Sequence, residues 1–154
     1  MRDRVRPPQE LESVLDQLKT DGVFETKQKG MMFAAALGYH LRKADLSDVE
    51  IDPFGEGIRL DYFKTPDDDG FIDALAVTAA NDLNAVHPDK QSERVEQFEK
   101  LAFLGLREMK RACYDDRPEY PVDGILALMD AMSAPANDDL PGLDATARQV
   151  NDLL

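Results

Sequence analysis

The stretch Met31-Met32-Phe33-Ala34-Ala35-Ala36-Leu37, MMFAAAL, is the longest apolar run in the chain and decides how the chain folds. Thr26 precedes it as a suitable N-cap, and the predicted helix extends over residues 27–43. A helix that is apolar over this width is buried on most of its sides. Because the alanines and Gly38 are small, another helix can approach closely, and the sequence predicts that this helix lies at the centre of the core.

Four further amphipathic segments accompany the central helix. Each carries apolar residues at intervals of three and four positions, which is the periodicity of one helical face. These predicted helices cover residues 9–19, 71–83, 93–114 and 122–132. Residues 58–63 alternate between apolar and polar side chains, which indicates one short strand or hairpin without an evident partner. The predicted fold class is therefore mainly α, with about five helices in a single compact domain.

Length and composition bound the domain organisation. The chain has 154 residues, of which 43% are hydrophobic, and this is enough for one domain with its own core. Residues 1–8 are predicted to form a basic N-terminal arm, residues 9–132 the helical domain, and residues 133–154 an acidic linker with room for a short helix. The only cysteine cannot form an internal disulfide, and no apolar run is long enough for a leader or a membrane span. We therefore expect a cytoplasmic protein.

Charge is distributed unevenly along the chain, whose formal net charge is -13. Residues 1–43 contain 8 Lys and Arg against 6 Asp and Glu, whereas residues 44–154 contain 10 against 25. Such an acidic body repels nucleic acid at long range, so any contact with DNA is expected within the first forty residues or so. The simpler interpretation of the acidity is that it keeps the protein soluble.

The N-terminal arm is the part of the sequence best suited to bind phosphate. Arg2, Arg4 and Arg6 occupy alternate positions, and guanidinium groups match the geometry of phosphate oxygens. Lys27 and Lys29, at the start of the central helix, are predicted to extend such a contact. The alternative interpretation is a disordered basic terminus without a ligand, and the acidic body argues against tight binding to DNA.

The predicted helix over residues 93–114 carries more apolar residues than one face requires. Phe103, Leu104 and Leu106 widen its apolar stripe. The surplus indicates either additional core packing or a surface for a protein partner. These three residues are therefore the candidate partner-binding residues.

Residue types that perform chemistry are present, but not in the patterns that chemistry requires. His40 and His87 have no Cys or His neighbour at zinc spacing. An acidic turn before Gly70 suggests a calcium loop, but aligning that glycine with the loop's obligatory glycine leaves non-ligating residues at the first and last positions. Cys113 has no adjacent base and is expected to fill the core. The sequence predicts no metal site, no cofactor and no enzymatic activity.

Several stretches carry a family resemblance. They are Arg4-Val5-Arg6-Pro7-Pro8, Phe24-Glu25-Thr26, Phe33-Ala34-Ala35-Ala36-Leu37-Gly38, Phe71-Ile72 to Ala79, and Glu96 to Leu106. Together these stretches resemble the DNA phosphorothioation-associated proteins, small accessory proteins found with Dnd systems, which put sulfur into the DNA backbone as a self-mark for defence. The resemblance implies an accessory role beside DNA-modifying or DNA-restricting proteins. It carries over no catalytic residue, since the family has none firmly assigned.

Three functions remain open from the sequence. The first is a non-enzymatic accessory protein of a DNA-modification system for anti-phage defence, which binds a protein of the modification or restriction complex, alone or as an oligomer. The second is a DNA-binding transcriptional or assembly regulator that uses the arginine arm. The third is an acidic inhibitor whose carboxylates mimic the phosphates of DNA.

Overall fold

The computed structural model describes residues 2–42 and 46–133, and helices make up most of this part of the chain. The described residues contain five α-helices and one two-stranded antiparallel sheet, which confirms the predicted mainly α fold. The helices are α1 Gln9–Thr20, α2 Lys27–Leu41, α3 Phe71–Ala80, α4 Gln91–Lys110 and α5 Pro121–Ser133, and the strands are β1 Arg4–Val5 and β2 Ile58–Arg59. Apart from Ser133, which ends α5, the predicted C-terminal linker and short helix lie outside the described residues.

Helices α2 and α4 cross at the centre of the core, as the MMFAAAL stretch predicts. Ala34 and Ala35 of α2 are completely buried. Gly38 of α2 lies against the backbone of Leu101, and Gly105 of α4 lies against the backbone of Ala34, so the two helices run antiparallel. A Cβ atom at either glycine would overlap a carbonyl oxygen of the opposite helix. The small residues therefore permit an unusually close backbone contact.

The other elements pack around this pair. Helix α1 turns four apolar side chains inward, and α3 is joined to the core through aromatic contacts. The ring of Phe98 on α4 meets the rings of Phe63 and Phe71 edge-on, with centroid distances of 5.6 and 6.3 Å. These contacts fix both the 3-10 helix Leu60–Phe63 and the start of α3 against α4.

Three helix ends differ from the prediction. Helix α2 ends at Leu41. Helix α3 ends at Ala80, because Asn81 adopts a left-handed conformation with φ 52° that cannot continue a helix. Helix α4 passes into the π-helical turn Arg111–Asp115 rather than continuing as a regular helix. At this turn Gly124 of α5 packs directly against backbone atoms of residues 112 and 113.

The N-terminal segment is packed on the helical body. In the antiparallel register Arg4 pairs with Arg59 and Val5 with Ile58. Val5 is completely buried, so detaching the strand from the body would expose this apolar side chain to water. The partner that residues 58–63 lacked in the sequence is thus the N-terminus, and this segment continues as the 3-10 helix instead of forming a hairpin.

Candidate functional site

Two of the predicted phosphate ligands bind a carboxylate inside the protein. Arg2 Nη1 donates to Glu99 Oε1 at 2.6 Å, while Arg6 donates to Oε2 through its backbone N–H at 2.7 Å and its Nε at 3.3 Å. The side chain of Glu99 is only 1% exposed, and burial raises its pKa against the opposing effect of the bond from Arg6. This cluster fastens β1 to α4, and about a third of each arginine side chain remains exposed.

Lys29 is also engaged within the protein. Its Nζ lies 2.6 Å from Asp68 Oδ1, and Thr65 Oγ1 donates to Asp68 Oδ2 at 3.0 Å. The bond from Lys29 lowers the pKa of Asp68, whose side chain is 7% exposed. The acidic turn before α3 thus joins α2 through an ion pair.

Arg4 and Lys27, the other predicted phosphate ligands, line an open groove between the strand pair and the start of α2. The structure adds two cations to them that sequence reasoning did not connect, Lys19 and Arg59. The exposed ring of Tyr62 and the carboxylate of Glu56 also line the groove. We call this surface the basic groove and define it by Arg4, Lys19, Lys27, Glu56, Arg59 and Tyr62.

The cations of the basic groove differ in their existing partners. Lys27 contacts Asp16 at 2.5 Å, and this bond raises the pKa of Lys27. Arg59 Nη2 lies 2.7 Å from Asp61 Oδ2, and Arg4 Nη1 donates to the carbonyl of residue 57 at 2.9 Å. Lys19 forms no ion pair with the described residues. The groove therefore offers its positive charge mainly through Arg4 and Lys19.

The candidate partner-binding residues on α4 lie mostly in the core. Leu106 is completely buried and Leu104 is 7% exposed, because α1, α2, α3, α5 and β1 all contact α4. Phe103 is half-buried, and the guanidinium of Arg107 lies 4.8 Å from its ring centroid. The partner-surface prediction for this helix therefore rests on Phe103 alone.

An apolar surface that sequence reasoning missed lies on the outer side of α5. Tyr120, Val122, Leu126 and Met129 are between 43% and 60% exposed. The last three follow one another at intervals of four and three residues, so they share one side of the helix. We call these four residues the α5 face. The sequence feature that could have revealed this surface is that α5 has apolar residues on two sides. Ile125 and Leu128 are buried on the side opposite the α5 face.

The α5 face has an acidic surround. Asp123 and Asp130 are exposed on α5, and the helix Pro121–Ser133 contains no Lys or Arg. Glu119 precedes it in the connecting turn. The electrostatic character of the α5 face is therefore opposite to that of the basic groove.

The side chains most often used in catalysis or metal binding are separated from one another. His40 is exposed near the end of α2, and exposed His87 accepts from the backbone N–H of Asp89 at 3.3 Å. Cys113 is buried, and burial raises the pKa of its thiol to about 11. Among the residues that the structure describes, no three His, Cys, Asp or Glu side chains are grouped so as to hold a metal ion.

The comparisons with known proteins bear on the family of the chain. Over residues 2–42 and 46–133, no helix has the length and apolar character that crossing a bilayer requires. No curated protein and no solved structure matches the chain. A family model described as DNA sulphur modification system-associated protein 4 matches residues 4–144, which confirms the resemblance seen in the sequence. The chain belongs to this family of proteins associated with DNA sulphur modification systems.

Proposed function

We propose that this protein is a cytoplasmic, non-catalytic accessory protein of a DNA sulphur modification system for anti-phage defence, and that it acts by binding another protein of that system. Its family membership supports the association with the modification system. The α5 face supports the binding of a protein, and it is the observation on which the proposal rests.

The α5 face has the features of a docking surface. Four large apolar side chains, each about half exposed, lie together on one short helix and the turn before it. Scattered exposed leucines are ordinary on a protein surface, but a contiguous apolar patch is typical of an interface. Aromatic and methionine side chains are enriched in the centres of such interfaces, and Tyr120 and Met129 supply both types.

The surround of the α5 face indicates the chemistry of the partner. Asp123, Asp130 and Glu119 lie beside the apolar side chains without a cation on the same helix. Complementary potentials steer association and exclude wrong partners. We therefore expect the partner to present an apolar centre with basic residues around it.

Co-purification tests the proposal. The tagged full-length chain is co-expressed with the other proteins of its DNA sulphur modification system, and the proteins retained with it are quantified. Leu126→Asp combined with Met129→Asp is expected to reduce partner recovery at least about tenfold, since buried unpaired carboxylates are costly in an interface. The matched control is Leu83→Asp, because Leu83 is 78% exposed and lies outside the α5 face.

Two outcomes contradict the proposal. The first is that the wild-type chain retains no protein of the system. The second is that the double variant retains as much partner as the Leu83→Asp control. Thermal unfolding of the variants distinguishes a lost interface from a lost fold, because substitutions of half-exposed side chains should leave the melting temperature nearly unchanged.

Acidic mimicry of DNA receives less support. Carboxylates on several helices are paired with cations of the same protein, as Asp73 is with Arg94 at 2.9 Å and Glu108 with Arg111 at 2.9 Å. A mimic of DNA needs carboxylates that are free to meet the basic groups of the DNA-binding protein. These ion pairs instead neutralise part of the acidic surface.

A further inference from the structure

The basic groove carries a cluster of positive side chains, and the protein-binding role proposed for the α5 face does not involve them. We propose that it binds a nucleic-acid strand, with phosphates on Arg4, Lys19, Lys27 and Arg59 and an unpaired base on Tyr62. This inference is independent of the protein-binding role proposed for α5.

The strand pair supplies the first reason. Arg4 and Arg59 are direct partners in the antiparallel register, and both are exposed. Like charges placed opposite each other on neighbouring strands destabilise the pairing. Asp61 already offsets part of the charge of Arg59. An anion between the two guanidinium groups would remove the remaining repulsion, and guanidinium binds phosphate oxygens in a bidentate geometry. The two arginines therefore form a place for neighbouring phosphates of one strand.

The helical side of the groove supplies the second reason. Lys19, at the end of α1, has no ion-pair partner among the described residues, and Lys27 opens α2. The first turn of α2 contains no acidic residue of its own, although Asp16 and Glu12 of α1 lie close to Lys27. The partial positive charge of the helix N-terminus adds to that of Lys27. Positive groups thus line both sides of the groove, which suits a chain of phosphates better than one isolated ion.

Tyr62 indicates the form of the nucleic acid. Its side chain is 52% exposed within the groove. Bases stack on exposed aromatic rings in proteins that bind single strands, whereas the bases of a duplex are already stacked on each other. The groove is therefore expected to prefer single-stranded over duplex DNA.

Weak, salt-sensitive binding follows from the charges. Lys27 and Arg59 keep their partners Asp16 and Asp61, and the whole chain is acidic. We expect a dissociation constant in the range of about 10⁻⁶ to 10⁻⁴ M, as for other sequence-independent contacts. The logarithm of the binding constant should fall linearly with the logarithm of the salt concentration. For a single strand that contacts the protein through four phosphates, the slope of this line should have a magnitude of about 3.

Fluorescence anisotropy of a labelled mixed-sequence oligonucleotide tests the groove, using the full chain at low salt. Lys19→Gln combined with Arg59→Gln is expected to weaken binding more than about tenfold and to reduce the salt slope by about 1.4, because two phosphate contacts are lost. The matched control, Lys64→Gln combined with Lys90→Gln, removes the same charge outside the groove. It should weaken binding clearly less than the groove variant when the two are compared at about 0.1 M salt, where the Debye length is about 10 Å.

Tyr62→Leu tests the base contact separately. It should weaken binding of the single strand about tenfold and leave duplex binding unchanged. Three results would overturn the proposal: no binding by the wild type at low salt, equal losses in the groove and control variants, or equal competition by a polyglutamate peptide, which would assign the groove to acidic proteins. The double variant Leu126→Asp with Met129→Asp should bind the oligonucleotide normally, so a failure here is distinct from a failure of the α5 interface.

Discussion

Gly105→Ala is expected to destabilise the fold because it forces α2 and α4 apart. An added Cβ would overlap the carbonyl oxygen of Ala34 and would lie 2.5 Å from its carbonyl carbon and 2.7 Å from its Cα. Non-bonded carbon atoms prefer separations of about 3.5 Å or more, so the helices must separate locally by roughly 1 Å. The atoms in the way belong to a helix backbone, which cannot rotate aside as a side chain can.

The size of the stability loss in Gly105→Ala follows from two opposing effects. Overpacking a core costs typically about 1–3 kcal/mol, and a rigid neighbour puts Gly105→Ala at or above the upper end of that range. Alanine also favours the helix over glycine by about 1 kcal/mol. We therefore expect a net loss of about 2 kcal/mol in the free energy of unfolding. For a domain of this size, that loss lowers the melting temperature by roughly 6 °C.

Urea unfolding followed by helical circular dichroism measures this loss, and Gly30→Ala is the matched control. Gly30 lies on α2, the other helix of the crossing. The three atoms nearest to an added Cβ there belong to side chains, of Leu15 at 3.0 Å and of Phe24 at 3.8 and 4.0 Å, and not to a helix backbone. The control should leave stability unchanged or raise it by up to about 1 kcal/mol. If Gly105→Ala is as stable as Gly30→Ala, the close crossing of α2 and α4 described here is wrong.

Three further predictions concern buried polar groups. Glu99→Ala should lower the free energy of unfolding by about 2–4 kcal/mol, because the Arg6 N–H and two part-buried guanidinium groups lose their acceptor. A loss smaller than that caused by Glu93→Ala, at an exposed position, would contradict this prediction. Cys113, with its pKa raised to about 11, should react with a disulfide reagent at pH 8 far more slowly in native protein than in urea, and similar rates would argue against its burial. Because Lys29 lowers the pKa of Asp68, this carboxylate stabilises the fold above its usual pKa and loses that effect as pH falls through the lowered one. The urea midpoint of the wild type should therefore fall as the pH is lowered below about 5, and it should fall less in Asp68→Asn. Parallel falls in the two proteins would refute the ion pair between Lys29 and Asp68.

Local patterns were sufficient to predict the helices. Periodicity located all five, and the run of small residues in α2 identified the helix that another would approach closely. A helix encodes its buried side in residues three and four positions apart, so one sequence window contains the necessary information. The ends were less predictable, because the left-handed Asn81 and the π-helical turn depend on contacts beyond the window.

Contacts between distant residues escaped the prediction for the same reason. Arg6 and Glu99 are 93 positions apart, and β1 pairs with a strand more than fifty positions away. A basic segment before two prolines is typical of a free terminus unless its acceptor is known. The buried carboxylate in the middle of α4 could not be recognised as that acceptor from sequence spacing.

Apolar content alone also could not locate the exposed surface. The amphipathic pattern gives the width of an apolar stripe but not the number of neighbours that cover it. Helix α4 is surrounded, so Leu104 and Leu106 are core residues, whereas the shorter α5 is covered on one side and leaves Leu126 and Met129 exposed. The candidate interface therefore lies on α5 and not on α4.

Site-specific photo-crosslinking at residue 126 tests whether the α5 face contacts another protein of the modification system. A benzophenone amino acid replaces Leu126 in the full chain, which is co-expressed with its modification system and irradiated, with the same replacement at exposed Leu83 as the reference position. We predict a crosslink from residue 126 to another protein of the system, and none of comparable yield from residue 83. Crosslinks from residue 126 that reach only the protein's own chain, or none at all, would contradict it.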